Sequence, residues 1–119
     1  MKRGKNPLRL KLIKLLKRKA KEEKASLWRS VSEFLEKPRS KEIVVNLGKI
    51  SRLTKKDDLV IVPGKVLGSG NLDHALVIGA YSFSKKAREK IKEAKGKTLS
   101  LDEFVEKYPK GSGVLIIGG

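Results

Sequence analysis

The chain has 119 residues, and 29 lysines and arginines against 13 acidic residues give it a net charge of +16. It contains no cysteine and a single histidine, which argues against disulfides, thiol nucleophiles, zinc ribbons and multi-histidine metal sites. We therefore expect one domain over residues 1–119, a polyanionic partner, and neither a metal, a cofactor nor a small-molecule substrate.

The positive charge is concentrated in an N-terminal arm, residues 1–24, which carries +9 while the other 95 residues carry +7. From Pro7, with Asn6 as a cap, leucines recur at helical spacing and predict a helix. Its apolar side comprises Leu8, Leu12, Leu15, Leu16 and Ala20. Its opposite side carries what we call the basic stripe, which is Lys11, Lys14, Arg18 and Lys21, flanked by Lys17 and Lys24.

The basic stripe is the first candidate binding surface. No acidic residue precedes Glu22 in the chain, so the stripe's charges repel one another unless a polyanion neutralises them. A solvated helix face is the alternative interpretation. Charge reversal in the stripe distinguishes these two interpretations: it flattens the salt dependence of nucleic-acid binding only if the stripe binds the nucleic acid.

A second helix is predicted over Ser26–Lys37, with Ser26 as its cap and Pro38 as its stop, and it forms a hairpin with the first. Its apolar side consists of Trp28, Val31, Phe34 and Leu35. Two roles are open for Trp28: packing in the core, which its helical spacing favours, or stacking on a nucleic-acid base.

After Pro38, short apolar runs alternate with helical stretches, which predicts an α/β fold. The predicted strands are Ile43–Val45, Leu59–Val62, Ala75–Ala80 and Val114–Ile117. The predicted helices are Leu47–Leu53, Ser84–Ala94 with Gly96 as terminator, and Ser100 to about Lys107 with a Ser100–Glu103 capping box. No apolar run approaches the roughly 20 residues of a membrane span and no signal peptide is evident, so we expect a cytoplasmic protein without a membrane partner.

The segment Pro63–Gly70 is rich in glycine and follows a predicted buried strand. Its spacing rejects a nucleotide P-loop, because no Gly-Lys-Ser or Gly-Lys-Thr occurs in the required register. Two interpretations stay open: a tight structural turn, or a loop whose backbone, with Lys65 and the Ser69 hydroxyl, grips a nucleic-acid backbone. On the second interpretation, we expect Gly68→Val to weaken RNA binding and to leave the fold intact.

His74 beside Asp73 is the arrangement that most suggests catalysis. A catalytic triad needs a base that is oriented by a carboxylate and lies within reach of a nucleophile, whereas neighbours in an extended segment project to opposite sides. We therefore expect polar surface here, with a small enzyme acting on RNA as an alternative.

The run Val62–Gly70 closely resembles the signature of the archaeal and eukaryotic large-subunit ribosomal protein eighteen family, a relative of bacterial large-subunit protein fifteen. Other landmarks similar to that family follow in the same order: Asn6-Pro7, Trp28-Arg29, Lys37-Pro38-Arg39, Val45-Asn46-Leu47 with Ile50 and Arg52, Ser82-Phe83-Ser84, Ala87-Arg88-Glu89-Lys90-Ile91 and Pro109-Lys110-Gly111. The resemblance spans nearly the whole chain, and its compact length is similar to the archaeal form.

This resemblance implies a structural component of the large ribosomal subunit that binds ribosomal RNA, meets neighbouring ribosomal proteins, has no catalytic activity and is not an obligate homo-oligomer. It implies two N-terminal helices followed by an irregular superhelical stack of short strand-strand-helix units. In one place the chain departs from the family. Where many relatives place basic residues after the glycine-rich loop, it has Asn71, Asp73, His74 and Ala75.

The resemblance and the charge pattern together select the candidate RNA-binding residues. They are Lys2, Arg3, Lys5, Arg9, Lys11, Lys14, Arg18, Lys21, Arg29, Arg39, Lys49, Arg52, Lys65, Gly68, Ser69 and Gly70. The alternative is a sequence-tolerant DNA-binding module that uses the first two helices as a helix-turn-helix. Against it, the more basic helix comes first, whereas a recognition helix is usually the second.

Overall fold

The computed structural model describes residues 7–37 and 42–118, and within these ranges the chain forms five α-helices and five β-strands. The helices are α1 Pro7–Glu23, α2 Ser26–Glu36, α3 Leu47–Leu53, α4 Lys85–Glu93 and α5 Leu101–Lys107. The strands are β1 Ile43–Asn46, β2 Leu59–Leu67, β3 Val77–Phe83, β4 Lys97–Ser100 and β5 Val114–Ile116. The predicted α/β class and the two N-terminal helices are confirmed. Asn6, Pro38 and the candidate residues Lys2, Arg3, Lys5 and Arg39 lie outside the described ranges.

One parallel sheet organises the described chain, with the strand order β1-β2-β3-β4 and β5 paired to β2 as well. β1 and β5 both pair with the edge of β2 that faces away from β3, but with different parts of the strand. β5 pairs with residues 59–61, and β1 pairs with residues 64–67. β2 is therefore the strand that joins the sheet, because it pairs with β1, β3 and β5.

The sheet separates two hydrophobic clusters, because successive side chains of a strand point to opposite faces. Val60 and Val62 of β2 pack with residues of α3 and α4 on what we call the α3–α4 face. Ile61 packs with Trp28 and Phe104 on the face covered by α1, α2 and α5, which we call the α1–α2–α5 face. Each face therefore has its own core and its own outer surface.

The N-terminal hairpin differs in detail from its sequence pattern. The buried side of α1 centres on Ile13 and Leu16, whereas Leu8 is 71% exposed. Trp28 is fully buried, donates from Nε1 to the Pro109 carbonyl at 2.6 Å and meets Phe104 edge to face, so its core role is confirmed. Ser26 is not the cap of α2, because Ala25 occupies that position and makes no side-chain cap bond.

β2 continues through Pro63 and Gly64, where the sequence predicted the end of the strand at Val62. Proline is tolerated here because the pairing with β3 shifts register between Val62 and Lys65, so the missing N–H falls at an irregularity of the ladder. Gly64 is required because a Cβ would overlap the carbonyl of Ile43 on β1. The neighbouring strand β3 runs over Val77–Phe83, later than the predicted Ala75–Ala80.

Two of the predicted helix caps are confirmed. The Ser84 hydroxyl accepts from the Ala87 N–H at 3.1 Å, and Ser100 with Glu103 forms the capping box of α5. Gly96 was predicted to terminate α4, but the residue that adopts the left-handed conformation after this helix is Lys95, with φ 66°. No described helix is long and apolar enough to cross a bilayer.

Candidate nucleic-acid interface

The connection between β2 and β3, residues 68–76, crosses the α3–α4 face without forming a helix. Because the strands are parallel, it must return along the nine residues of β2, a distance of about 26 Å. Ten Cα–Cα steps join Leu67 to Val77 and reach at most about 36 Å, so the connection is too short to hold a helix, and it bends at Gly70 and His74. Its first part, residues 68–70, is called the glycine loop below, and it passes beside α3 and α4.

The glycine loop is anchored through all three of its carbonyls. The Lys90 ammonium on α4 donates to the carbonyls of Gly68 and Gly70, each at 2.7 Å. The Gly48 N–H on α3 donates to the Ser69 carbonyl at 2.9 Å. No hydrogen bond with another described residue uses the Ser69 hydroxyl or the N–H groups of Ser69 and Gly70. These donors remain available to a ligand.

Two glycines of the loop have packing roles. A Cβ on Gly68 would stand 2.8 Å from the Lys86 Cβ and 2.9 Å from the Ala87 nitrogen. A Cβ on Gly70, whose φ is +87°, would stand 2.5 Å from the Gly48 Cα. The expectation that Gly68→Val leaves the fold intact is therefore wrong, because the space at Gly68 is filled by the start of α4.

A groove of about 400 Å³ opens between β1, α3 and the glycine loop. It is lined by four residues predicted to bind RNA: Lys49, Arg52, Ser69 and Gly70. A Cβ on Gly48 would lie 3.7 Å from an Arg52 guanidinium nitrogen, which places this cation beside the groove floor. Exposed Lys65 is on β2, paired with the groove residue Val44 of β1. The fold thus gathers residues that are far apart in sequence.

Sequence reasoning missed three residues that build this region. Asn46 lines the groove, Lys90 fastens the loop, and the Lys86 side chain packs against Gly68. Asn46 and Lys90 each belong to a family landmark of the sequence, and this membership was the signal that could have identified them. Their roles depend on the path of the β2–β3 connection, which periodicity does not predict.

The basic stripe lies on α1, on the other face of the sheet. Lys11, Lys14 and Lys21 are exposed, and none has a carboxylate within 4.0 Å among the described residues. Acidic residues compensate Arg18 of the stripe and two lysines beside it: Glu22 lies 3.7 Å from Arg18, Glu36 lies 2.7 Å from Lys17, and Glu106 lies 3.6 Å from Lys19. The three uncompensated lysines are the part of the stripe most in need of an anion.

Two other candidate cations have intramolecular partners. Arg9 donates from Nε to the Leu35 carbonyl at 2.7 Å, and its guanidinium lies 5.2 Å from the centre of the Tyr81 ring. These contacts tie α1 to α2 and to β3, which gives Arg9 a structural role. Arg29 is exposed on α2, with its Nε 3.7 Å from Glu33.

Asp73 and His74 do not project to opposite sides, contrary to expectation. His74 Nδ1 donates to the Asp73 carboxylate at 2.6 Å, and Nε2 lies 2.8 Å from the Thr54 hydroxyl. The hydrogen bond from His74 lowers the pKa of Asp73 below its ordinary value of 3.8, and a second hydrogen bond, from the Ser51 hydroxyl, lowers it further. The buried Thr54 hydroxyl donates to the Ile50 carbonyl at 2.8 Å, so this chain of groups links α3 to the β2–β3 connection.

Over residues 1–119, the chain matches the family described as Ribosomal protein 60S L18 and 50S L18e. It is similar to proteins named Large ribosomal subunit protein eL18 from three archaea. Identity is 46% to the protein of Methanothermobacter thermautotrophicus, 45% to that of Pyrobaculum aerophilum and 41% to that of Archaeoglobus fulgidus. These matches cover 94%, 89% and 97% of this chain and 93%, 87% and 98% of the respective relatives. The resemblance expected from the sequence is confirmed.

Proposed function

Because the chain belongs to the family of ribosomal proteins 60S L18 and 50S L18e, we propose that it is a constituent of the large ribosomal subunit. In this role it binds ribosomal RNA and meets neighbouring ribosomal proteins, supports translation in the cytoplasm and catalyses no reaction. The names of its relatives, Large ribosomal subunit protein eL18, support the assignment.

The groove beside the glycine loop is the observation that carries the RNA-binding proposal. It combines two cations, Lys49 and Arg52, with the Ser69 hydroxyl and loop N–H groups that no described residue uses. Such donors are what phosphate and sugar oxygens of a nucleic acid accept. The exposed lysines of the basic stripe supply a second, longer-range attraction for closely spaced phosphates.

The DNA-binding alternative finds less support in the same geometry. In a helix-turn-helix the second helix enters the major groove, and here that helix would be α2. α2 carries Arg29 against Glu33 and Glu36, and its apolar residues Trp28, Val31 and Leu35 are buried in the core. A net negative helix of this kind is poorly suited to a DNA groove.

The test is binding of the full chain to large-subunit ribosomal RNA and to duplex DNA of matched length, each over a series of salt concentrations. We expect tighter binding to the RNA at moderate salt and an affinity that falls steeply as salt rises. Equal affinity for duplex DNA would contradict the proposal. RNA cleavage by the pure protein, lost in His74→Ala, would instead support the enzyme hypothesis.

A further inference from the structure

We infer that the groove between β1, α3 and the glycine loop holds one unpaired nucleotide of the RNA, with Asn46 contacting the edge of its base. This inference rests on the proposed function and specifies the ligand of that site. The volume of about 400 Å³ falls in the usual range of small-ligand sites, roughly 300–1,000 Å³.

The lining suits the parts of a nucleotide. Gly48 and Gly70 pack backbone to backbone where α3 meets the glycine loop, so peptide groups rather than side chains line the groove there. Val44, 48% exposed on the edge strand β1, adds an apolar contact. The Arg52 guanidinium can meet either the phosphate or the face of the base, since arginine does both in RNA complexes.

Asn46 is the residue whose placement points to base recognition. It holds the N-cap position of α3, where an asparagine side chain ordinarily accepts a bond from the first turn, yet it makes no such bond. The Ser69 carbonyl takes over that task by accepting from the Gly48 N–H. The exposed Asn46 amide has no hydrogen-bond partner in residues 7–37 and 42–118, and its paired donor and acceptor match the edge of a base.

An unpaired nucleotide fits better than a duplex segment. Side chains cannot read the deep, narrow major groove of duplex RNA. Sequence-specific proteins instead take bases that are splayed out of loops, bulges and ends.

The test is chemical probing of base edges in large-subunit ribosomal RNA saturated with the full-length protein. We expect the wild-type protein to protect one unpaired base that Asn46→Ala leaves reactive, and we expect the affinity of the variant to fall about fivefold to tenfold. Arg52→Gln should weaken the same protection. The matched controls are Asn71→Ala, an exposed asparagine outside the groove lining, and Lys97→Gln, on β4 at the opposite edge of the sheet. Both should leave that base protected.

The outcomes separate this inference from the proposed function. If Asn46→Ala protects the same bases as wild type, or if Asn71→Ala releases the same base, the inference fails while RNA binding stands. If the wild-type protein protects no nucleotide at all, both fail. An unchanged urea midpoint of Asn46→Ala is the expected folding check, because its side chain does not cap α3.

Discussion

At the scale of single residues, Gly68 shows how a family landmark can be required for packing. We predict that Gly68→Ala lowers the free energy of unfolding by about 1–3 kcal/mol, because its Cβ would press on the Lys86 side chain and the Ala87 backbone. Urea denaturation measures the difference. Ser69→Ala, at the exposed neighbouring position, is the control and should unfold at the wild-type midpoint. Wild-type stability in Gly68→Ala would contradict this prediction, because it would mean that the start of α4 shifts to accommodate the Cβ with no loss of stability.

Asp73 gives a residue-scale prediction about pH. Its pKa is lowered in the folded chain by the bonds from His74 and Ser51, so its contribution to stability is present above 3.8 and lost as the pH falls through the still lower folded value. We predict that Asp73→Asn is slightly less stable than wild type near neutral pH and that the two converge in acid. Urea unfolding over a pH series tests this, with Glu89→Gln as the control. A difference that persists unchanged in acid would contradict it.

At the scale of elements, the glycine loop depends on α4 through Lys90. We predict that Lys90→Met leaves the helix in place but makes the amide hydrogen of Gly48 exchange about tenfold faster, because the loop loses the charged donor to its Gly68 and Gly70 carbonyls and then holds the Ser69 carbonyl less firmly against the Gly48 N–H. Lys90→Arg keeps a charged donor and is the matched control. Unchanged protection in Lys90→Met would show that Gly48 alone anchors the loop.

The elements also show what the sequence could predict. α3 and the Ser100–Glu103 capping box were predictable because local spacing and capping chemistry determine them. The continuation of β2 past Pro63 was not, because it depends on β1 approaching Gly64 and on a register shift against β3. The groove could not be predicted for the same reason. Asn46 and Ser69 both line it because the Gly48 N–H donates a tertiary hydrogen bond to the Ser69 carbonyl.

At the scale of the whole molecule, the two basic surfaces lie on opposite faces of one sheet. The basic stripe belongs to α1 on the α1–α2–α5 face, and the groove belongs to α3 and the glycine loop on the α3–α4 face. The Cα framework measures 40 × 36 × 18 Å, so the sheet and its helices form a slab. We therefore expect the two surfaces to meet different segments of RNA and to contribute to binding independently.

Independence of the two surfaces predicts additive salt dependence. Each phosphate contact contributes about 0.7–0.9 to the log–log slope of affinity against salt, so replacing Lys11, Lys14 and Lys21 by glutamine should flatten the slope by about two to three. Replacing Lys49 and Arg52, the two cations of the groove, should flatten it by about one and a half. The variant with all five changes should show the sum, since sites without shared partners add. A combined slope no flatter than that of the stripe variant would mean that the stripe alone contacts RNA phosphates, because the groove residues would then add nothing to counterion release.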